Sequence, residues 1–234
     1  YEPQRQILSI GYRLADAEYV IVGQGSVVSN AEAVADYLRE QRGLAVGVLN
    51  LTMFRPFPAD LVSHALAGKK GVVVLERTDQ PLAVDPPLLR EIRSAMSQAV
   101  ENGRVPKDGA AAYPGVAALR SEIVPDFYSG CFGLGSRDFQ PGDIVAAVDN
   151  MLPKGALKRQ FYLGIDFIRA DTRLPKLQIW QEKMLDSYPH LGELSLPTAG
   201  NINLLPEGST AVRIHSVGGW GAITMGKNLA MTAF

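Results

Sequence analysis

Three short apolar runs constrain this chain more than any other feature: YVIVGQGS at 19–26, which ends in glycines, LAVGVLNL at 44–51 and GVVVLER at 71–77. None alternates apolar with polar residues. Each therefore reads as a strand buried on both faces, the pattern of a parallel sheet covered by helices. Segments of helical period separate the runs. SNAEAVADYLREQRG places Ala31, Val34, Ala35 and Leu38 on one face and stops at Gly43. Ser29 and Glu32 stand at capping-box spacing, which predicts the helix start there. Beyond the second run, TMFRPFP breaks at Pro56 and Pro58, and a short helix is expected from about Ala59 to Ala67. A longer helix is expected over 87–103. Successive β-α units of this kind predict an α/β fold, an open and mostly parallel sheet with helices on both faces.

Further along, residues 102–114 are rich in Gly, Ala and Pro and read as a loop. A strand near Val124, the glycine cluster SGCFGLGS, a helix over 141–152 and a strand over 160–168 complete the domain. The expected organisation is an arm at 1–18, the α/β domain at 19–168, a connector at 169–208 and a last segment at 209–234. The connector is expected to be extended, with one short helix at 180–187. Its apolar residues Leu177, Ile179, Trp180, Leu191 and Leu196 need burial, so it is expected to wrap a neighbouring domain. The last segment reads as a strand at 211–217, the loop GGWG and a helix: one β-α unit opening a second domain that is incomplete. With YEPQRQ rather than Met at its start, the chain is expected to be an internal piece of a longer protein.

Composition narrows the function. Apolar residues make up 47% and charged residues 20%, as in an ordinary globular protein. The net charge of −1 gives no electrostatic reason for nucleic acid or an anionic membrane as partner. No apolar stretch approaches the roughly 18–20 residues of a membrane span. The single cysteine, Cys131, excludes an internal disulfide and a four-cysteine iron–sulfur cluster built from this chain alone, and a cytoplasmic setting is expected.

Three glycine clusters could present backbone N–H groups to a phosphate: GQGS at 23–26, GLGS at 133–136 and GGWG at 218–221. None is followed about twenty residues on by the acid of a dinucleotide fingerprint; Asn50 ends the second run where such an acid would stand after GQGS. GQGS and GLGS therefore read as tight strand-to-helix turns. GGWG, in full strand–glycine–helix order, makes Gly218, Gly219 and Gly221 candidate ligands of a phosphate, against a plain turn. Arg55 follows the second strand, at the edge where α/β sheets place ligands, and could clamp an anion or brace an interface. Glu76 and Asp79, on the same edge, could pair with Arg55 in a structural network. His64, His190 and His215 lack metal-ligand spacing; His64 is expected at the surface and His215 in the core. Cys131 has no neighbouring cation and reads as a packing residue. No metal ligands and no catalytic constellation emerge within these boundaries.

The stretch YVIVGQGSVVSNAEAVADYLREQRGLAVGVLNLTMFRPFPADLV resembles the transketolase carboxyl-terminal-type domain of thiamine-diphosphate enzymes. Downstream, GVVVLERTDQPLA, GCFGLGSRDFQPGDIVAAVDNM, FYLGIDFIRADTRLP and RIHSVGGWGAITMGKNLA resemble, in order, stretches of the pyruvate:ferredoxin (flavodoxin) oxidoreductases, within the 2-oxoacid:acceptor oxidoreductase superfamily. The last of these resembles the start of that family's gamma domain. Departures occur at Cys131-Phe132, usually Arg-Tyr in the family, and at RDF, usually KEF. The resemblance implies an enzyme that uses thiamine diphosphate with Mg²⁺, iron–sulfur clusters and coenzyme A to decarboxylate a 2-oxoacid such as pyruvate oxidatively. It implies ferredoxin or flavodoxin as electron acceptor, a homodimer when complete, and remaining domains or subunits of the same enzyme as partners. By the same resemblance this piece is an assembly domain that binds no cofactor alone, with the GGWG loop near coenzyme A. Two alternatives stay open: the carboxyl-terminal domain of another thiamine enzyme, of transketolase or dehydrogenase beta type, and a non-catalytic coenzyme A or nucleotide module.

Overall fold

A computed structural model of the chain describes residues 9–105, 109–165, 174–200, 202–205, 208–210, 212, 214, 217, 219 and 221–233. They divide into two units, 1–202 and 203–234. In the first unit, β1 (Ser9–Tyr12), β2 (Tyr19–Gly23), α1 (Val27–Arg42), β3 (Val46–Leu51), α2 (Ala59–Leu66) and β4 (Gly71–Glu76) are followed by α3 (Pro87–Arg104), β5 (Asp126–Cys131), α4 (Pro141–Met151) and β6 (Gln160–Tyr162). The six strands lie in the order β1-β3-β2-β4-β5-β6. All pairs are parallel except β1 with β3. The sheet is thus the open, mostly parallel α/β sheet that the apolar runs predict.

Burial follows from that order. β2 lies between β3 and β4, β4 lies between β2 and β5, and every residue of β2 is buried. A strand with neighbours on both edges and helices on both faces has no solvated side, so alternation has nothing to encode. Val20, Val22, Leu49, Leu51, Val72 and Val74 pack with Val62, Leu66, Leu88, Leu89 and Ile92 of α2 and α3. Ile21, Val48 and Val73, one residue out of phase and in register across three strands, turn to the opposite face, where α1 packs against α4. The chain therefore crosses from one face to the other between β3 and β4, as right-handed connections require when strand order reverses.

Within the stretch expected as an arm, Ser9–Tyr12 forms the antiparallel edge strand, pairing Ser9 with Leu51 and Tyr12 with Val48. Arg39 of α1 fastens the approach to β2: it donates to the Val46 carbonyl at 2.6 Å, to the Arg13 carbonyl at 2.9 Å, and to both oxygens of Asp16 at 2.8 and 2.9 Å. The Ser29/Glu32 spacing does not mark a helix start. α1 begins two residues earlier, at Val27, with Ser26 as its uncapped first flank, and Ser29 lies in its first turn. Any two residues three apart on a helix share a face, so the spacing alone could not separate a cap from a first turn. The reciprocal contact that does form is at α4, where the Gln140 amide donates to Asp143 at 3.0 Å.

From residue 175 the connector is helical over α5 (Pro175–Ser187) and α6 (His190–Leu194) rather than extended up to residue 180. The chain after α6 lies on its own sheet. Ser195 bridges Tyr162, the Leu196 amide donates to the Tyr162 carbonyl at 2.9 Å, and Ala199 donates to Gly142 at 3.0 Å. Leu177, Ile179 and Trp180 stay exposed on α5. In the second unit, α7 (Ala222–Ala233) is the helix expected after GGWG. Of the strand expected at 211–217, Val212, Ile214 and Val217 are described and lie in no strand; Ala211, Arg213, His215 and Ser216 fall outside the described residues.

Candidate functional site

Strand order reverses at β2: the next strand in sequence lies to one side of it, and β4 to the other. In an open α/β sheet the crevice beyond the carboxyl ends of such strands is the usual ligand position, because the flanking loops part there. Four of the segments singled out in the sequence converge on this edge. GQGS follows β2, RPFP follows β3, RTD follows β4 and GLGS follows β5. Gly25, Gly133 and Gly135 have φ of 73°, 69° and 63°, the left-handed region that glycine enters without penalty.

Arg55, Glu76 and Asp79, at this edge, each have a definite partner. Arg55 donates to its neighbour's carbonyl, Phe54 O, at 2.9 Å and to Glu91 of α3 at 2.8 Å, with its guanidinium 4.3 Å from the Phe54 ring centre. The expected pairing of Arg55 with Glu76 or Asp79 does not form. Glu76 instead accepts from the Leu88 and Leu89 amides, at 2.7 and 3.1 Å, and caps α3, whose flank Pro86 has no side-chain acceptor. Burial raises the Glu76 carboxyl above its ordinary range, against the downward pull of those two amides. Asp79 accepts the Tyr162 hydroxyl at 3.1 Å.

Cys131 ends β5, 7% exposed, and its thiol donates to the Thr78 carbonyl at 3.0 Å. Burial first, then the charges of Asp79 and Glu76, push this thiol up to about 12. That is the opposite of a nucleophilic cysteine, and the packing role expected for it holds. Burial and Asp79 likewise push the Tyr162 phenol up to about 12. His64 is exposed on α2, beside Asp60, as expected. His190 lies on α6 with its ring 6.3 Å from that of Tyr162.

Two cavities open at the edge. One, of about 290 Å³, lies between the 79–86 loop and β6, lined by Asp79, Cys131, Tyr162 and His190. The other, of about 220 Å³, sits at the switch point beside the start of α1, lined by Ser26, Asn30, Arg77, Gly133, Arg137 and Asp138. Sequence reasoning did not single out Tyr162 or Arg77. The order of β5 and β6 in the sheet, which joins Tyr162 to Asp79 across 83 residues, has no local sequence signal. Of the GGWG residues, Gly219 and Gly221 are described, with φ of 87° and 76°; Gly218 lies outside the described residues. Among the described residues no three His, Cys, Asp or Glu side chains gather as a metal site, and no helix is long and apolar enough to cross a membrane.

Comparison with known proteins places this architecture. Residues 17–108 match the family model "Pyruvate:ferredoxin oxidoreductase core domain II". The chain is 35% identical over 155 residues to the "Pyruvate synthase subunit PorA" of Thermotoga maritima, covering 66% of this chain and 33% of that one. It is 35% identical over 168 residues to the "Probable pyruvate-flavodoxin oxidoreductase" of Escherichia coli, covering 70% of this chain and 13% of the other. With the "Pyruvate:ferredoxin oxidoreductase" of Moorella thermoacetica it shares 31% identity over 151 residues, 64% of this chain and 11% of that one. The chain thus spans a third or less of the length of these relatives. The core domain match, the parallel sheet that carries it and the relatives agree, and the chain belongs to the pyruvate:ferredoxin (flavodoxin) oxidoreductase superfamily.

Proposed function

We propose that this chain is the core-domain scaffold of a thiamine-diphosphate-dependent 2-oxoacid:ferredoxin or flavodoxin oxidoreductase, an enzyme that converts a 2-oxoacid such as pyruvate to its acyl-coenzyme A. The observation that carries this reading is the match of residues 17–108 to a core domain of that family. The side chains of the chain bear on which parts of the enzyme it supplies. A diphosphate-bound Mg²⁺ needs several hard oxygen ligands, and a four-iron cluster needs four thiolates. The described residues gather no such donor set, and Cys131 is a single buried thiol. On this reading the chain holds no catalytic residue. It positions the domains that do, and those domains supply the thiamine and iron–sulfur chemistry.

Two features serve that role. Arg55, with its side chain 58% exposed and its planar group already aligned by Glu91 and Phe54, braces the interface with a neighbouring domain. Gly218, Gly219 and Gly221 contribute amides to a phosphate of coenzyme A; positive φ at Gly219 and Gly221 and the helix that follows support this assignment. The remaining domains or subunits, a second copy of the whole enzyme and a cytoplasmic ferredoxin or flavodoxin complete the assembly.

The test has two arms. The complete enzyme is expected to reduce viologen in the presence of pyruvate or another 2-oxoacid only when coenzyme A is added. The isolated 234-residue chain is expected to show no saturable heat with thiamine diphosphate and Mg²⁺ in titration calorimetry. Stoichiometric thiamine diphosphate binding by the isolated chain, or coenzyme-A-independent chemistry in the complete enzyme, overturns the assignment.

A further inference from the structure

The cavity at the switch point has no place in the scaffold role. It lies beyond the carboxyl ends of β2, β4 and β5, where an α/β sheet binds ligands, and its charged lining consists of Arg77 and Arg137 against the single acid Asp138. Arg77 is the informative residue. Both acids beside it in sequence are engaged elsewhere: Glu76 caps α3, and Asp79 holds the Tyr162 hydroxyl. Among the described residues, no carboxylate or carbonyl accepts from the Arg77 guanidinium, whereas Arg13, Arg39, Arg42, Arg55, Arg93 and Arg159 each pair with a carboxylate.

Backbone conformation keeps Arg77 in this position. Its side chain crosses directly over Gly133, where an added Cβ would stand 2.9 Å from Nε and 3.1 Å from Cγ. Gly133 also has φ of 69°, so any other residue there would be strained as well as in collision. Opposite lies the start of α1, which has no acid in its first turn and no side-chain cap at Ser26, so the helix's own first residues leave its positive end uncompensated. Phe132 and Phe139, stacked at 4.3 Å, wall one side.

We propose that this cavity binds a phosphoryl group, free or at the end of a small ester, with Arg77 as its principal cation. A guanidinium offers planar, paired donors that match two oxygens of a phosphoryl group, and it keeps its charge at every physiological pH. At about 220 Å³ the cavity is smaller than the roughly 300–1,000 Å³ that enclose a whole drug-sized ligand, so it holds an anionic head and leaves the remainder of an ester outside. This inference stands independently of the enzyme assignment.

Titration calorimetry of the purified chain with inorganic phosphate, AMP and acetate tests it. Phosphate or AMP is expected to saturate one site in the millimolar range or tighter. Arg77→Ala is expected to weaken binding at least about tenfold, the loss of a charge-assisted pair. Gly133→Ala, which displaces the guanidinium, is expected to weaken it as well, while Arg159→Ala, at an exposed pair with Asp126, leaves it unchanged. Arg77 is exposed, so its variant is expected to keep the fold, and circular dichroism checks this. Tighter binding of AMP than of phosphate identifies an ester as the ligand, and equal binding identifies free phosphate. No saturation by either, binding indifferent to Arg77→Ala, or acetate binding as tightly as phosphate overturns the proposal.

Discussion

At the scale of single residues, the carboxyl edge shows how burial decides chemistry. Cys131 and Tyr162 lie beside Asp79, and both are held protonated up to about 12. Their acidities in the folded state are lower than in the unfolded chain, whose thiol and phenol ionise near 9.0 and 10.0. The unfolded state therefore loses these protons first. The resulting stabilisation is complete below pH 9 and is lost as pH rises towards 12. Urea midpoints are expected to be steady from pH 7 to 9 and to fall above it, with Cys131→Ala delaying the onset of the fall. At pH 8 the native thiol should resist a thiol-specific reagent and react once urea is added. A midpoint flat to pH 11 would contradict the burial argument. The inert character of Cys131 was legible in the sequence, because no cation stood near it. The partner of Arg55 was not, since Glu91 lies 36 residues away and only the placement of α3 chooses it over Glu76.

Among elements, the most instructive contact is the seat of α3 on β4. Pro86 gives that helix no side-chain cap, and the carboxylate of Glu76 at the end of a strand substitutes for one. Glu76→Ala is expected to lower stability by about 1–2 kcal/mol, with Glu76→Gln losing less because one acceptor remains. Paired urea titrations measure both, and a Glu76→Ala chain as stable as the parent would refute the cap. The strap over α4 offers a second check. A Cβ at Gly142 would collide with the Gly200 carbonyl oxygen, so Gly142→Ala should release residues 195–200 to protease while the sheet stays protected from hydrogen exchange. Simultaneous loss of protection in β2 and β4 would show that the strap is integral to the core. Central strands and their helices were readable from the sequence because continuous burial writes itself as an apolar run. The edge strand Ser9–Tyr12 was not, since it has a neighbour on one edge only and needs only backbone bonds to β3.

For the molecule as a whole, the division into units at 202/203 carries its own expectation. A chain ending at Ile202 should keep the unfolding midpoint and the slope of the intact chain, because the sheet and its covering helices all precede that point. A large loss of slope would mean that 203–234 belongs to the same cooperative body. Local patterns by themselves determined the fold class, the helices that cover the sheet and the family resemblance, because each is written in residues adjacent or a few positions apart. The tertiary structure alone decided which strand neighbours which, and therefore where order reverses and a cavity opens. It also decided which acid meets which base there. These outcomes depend on contacts between residues tens of positions apart, whose free energy appears only once the chain has closed the intervening loops.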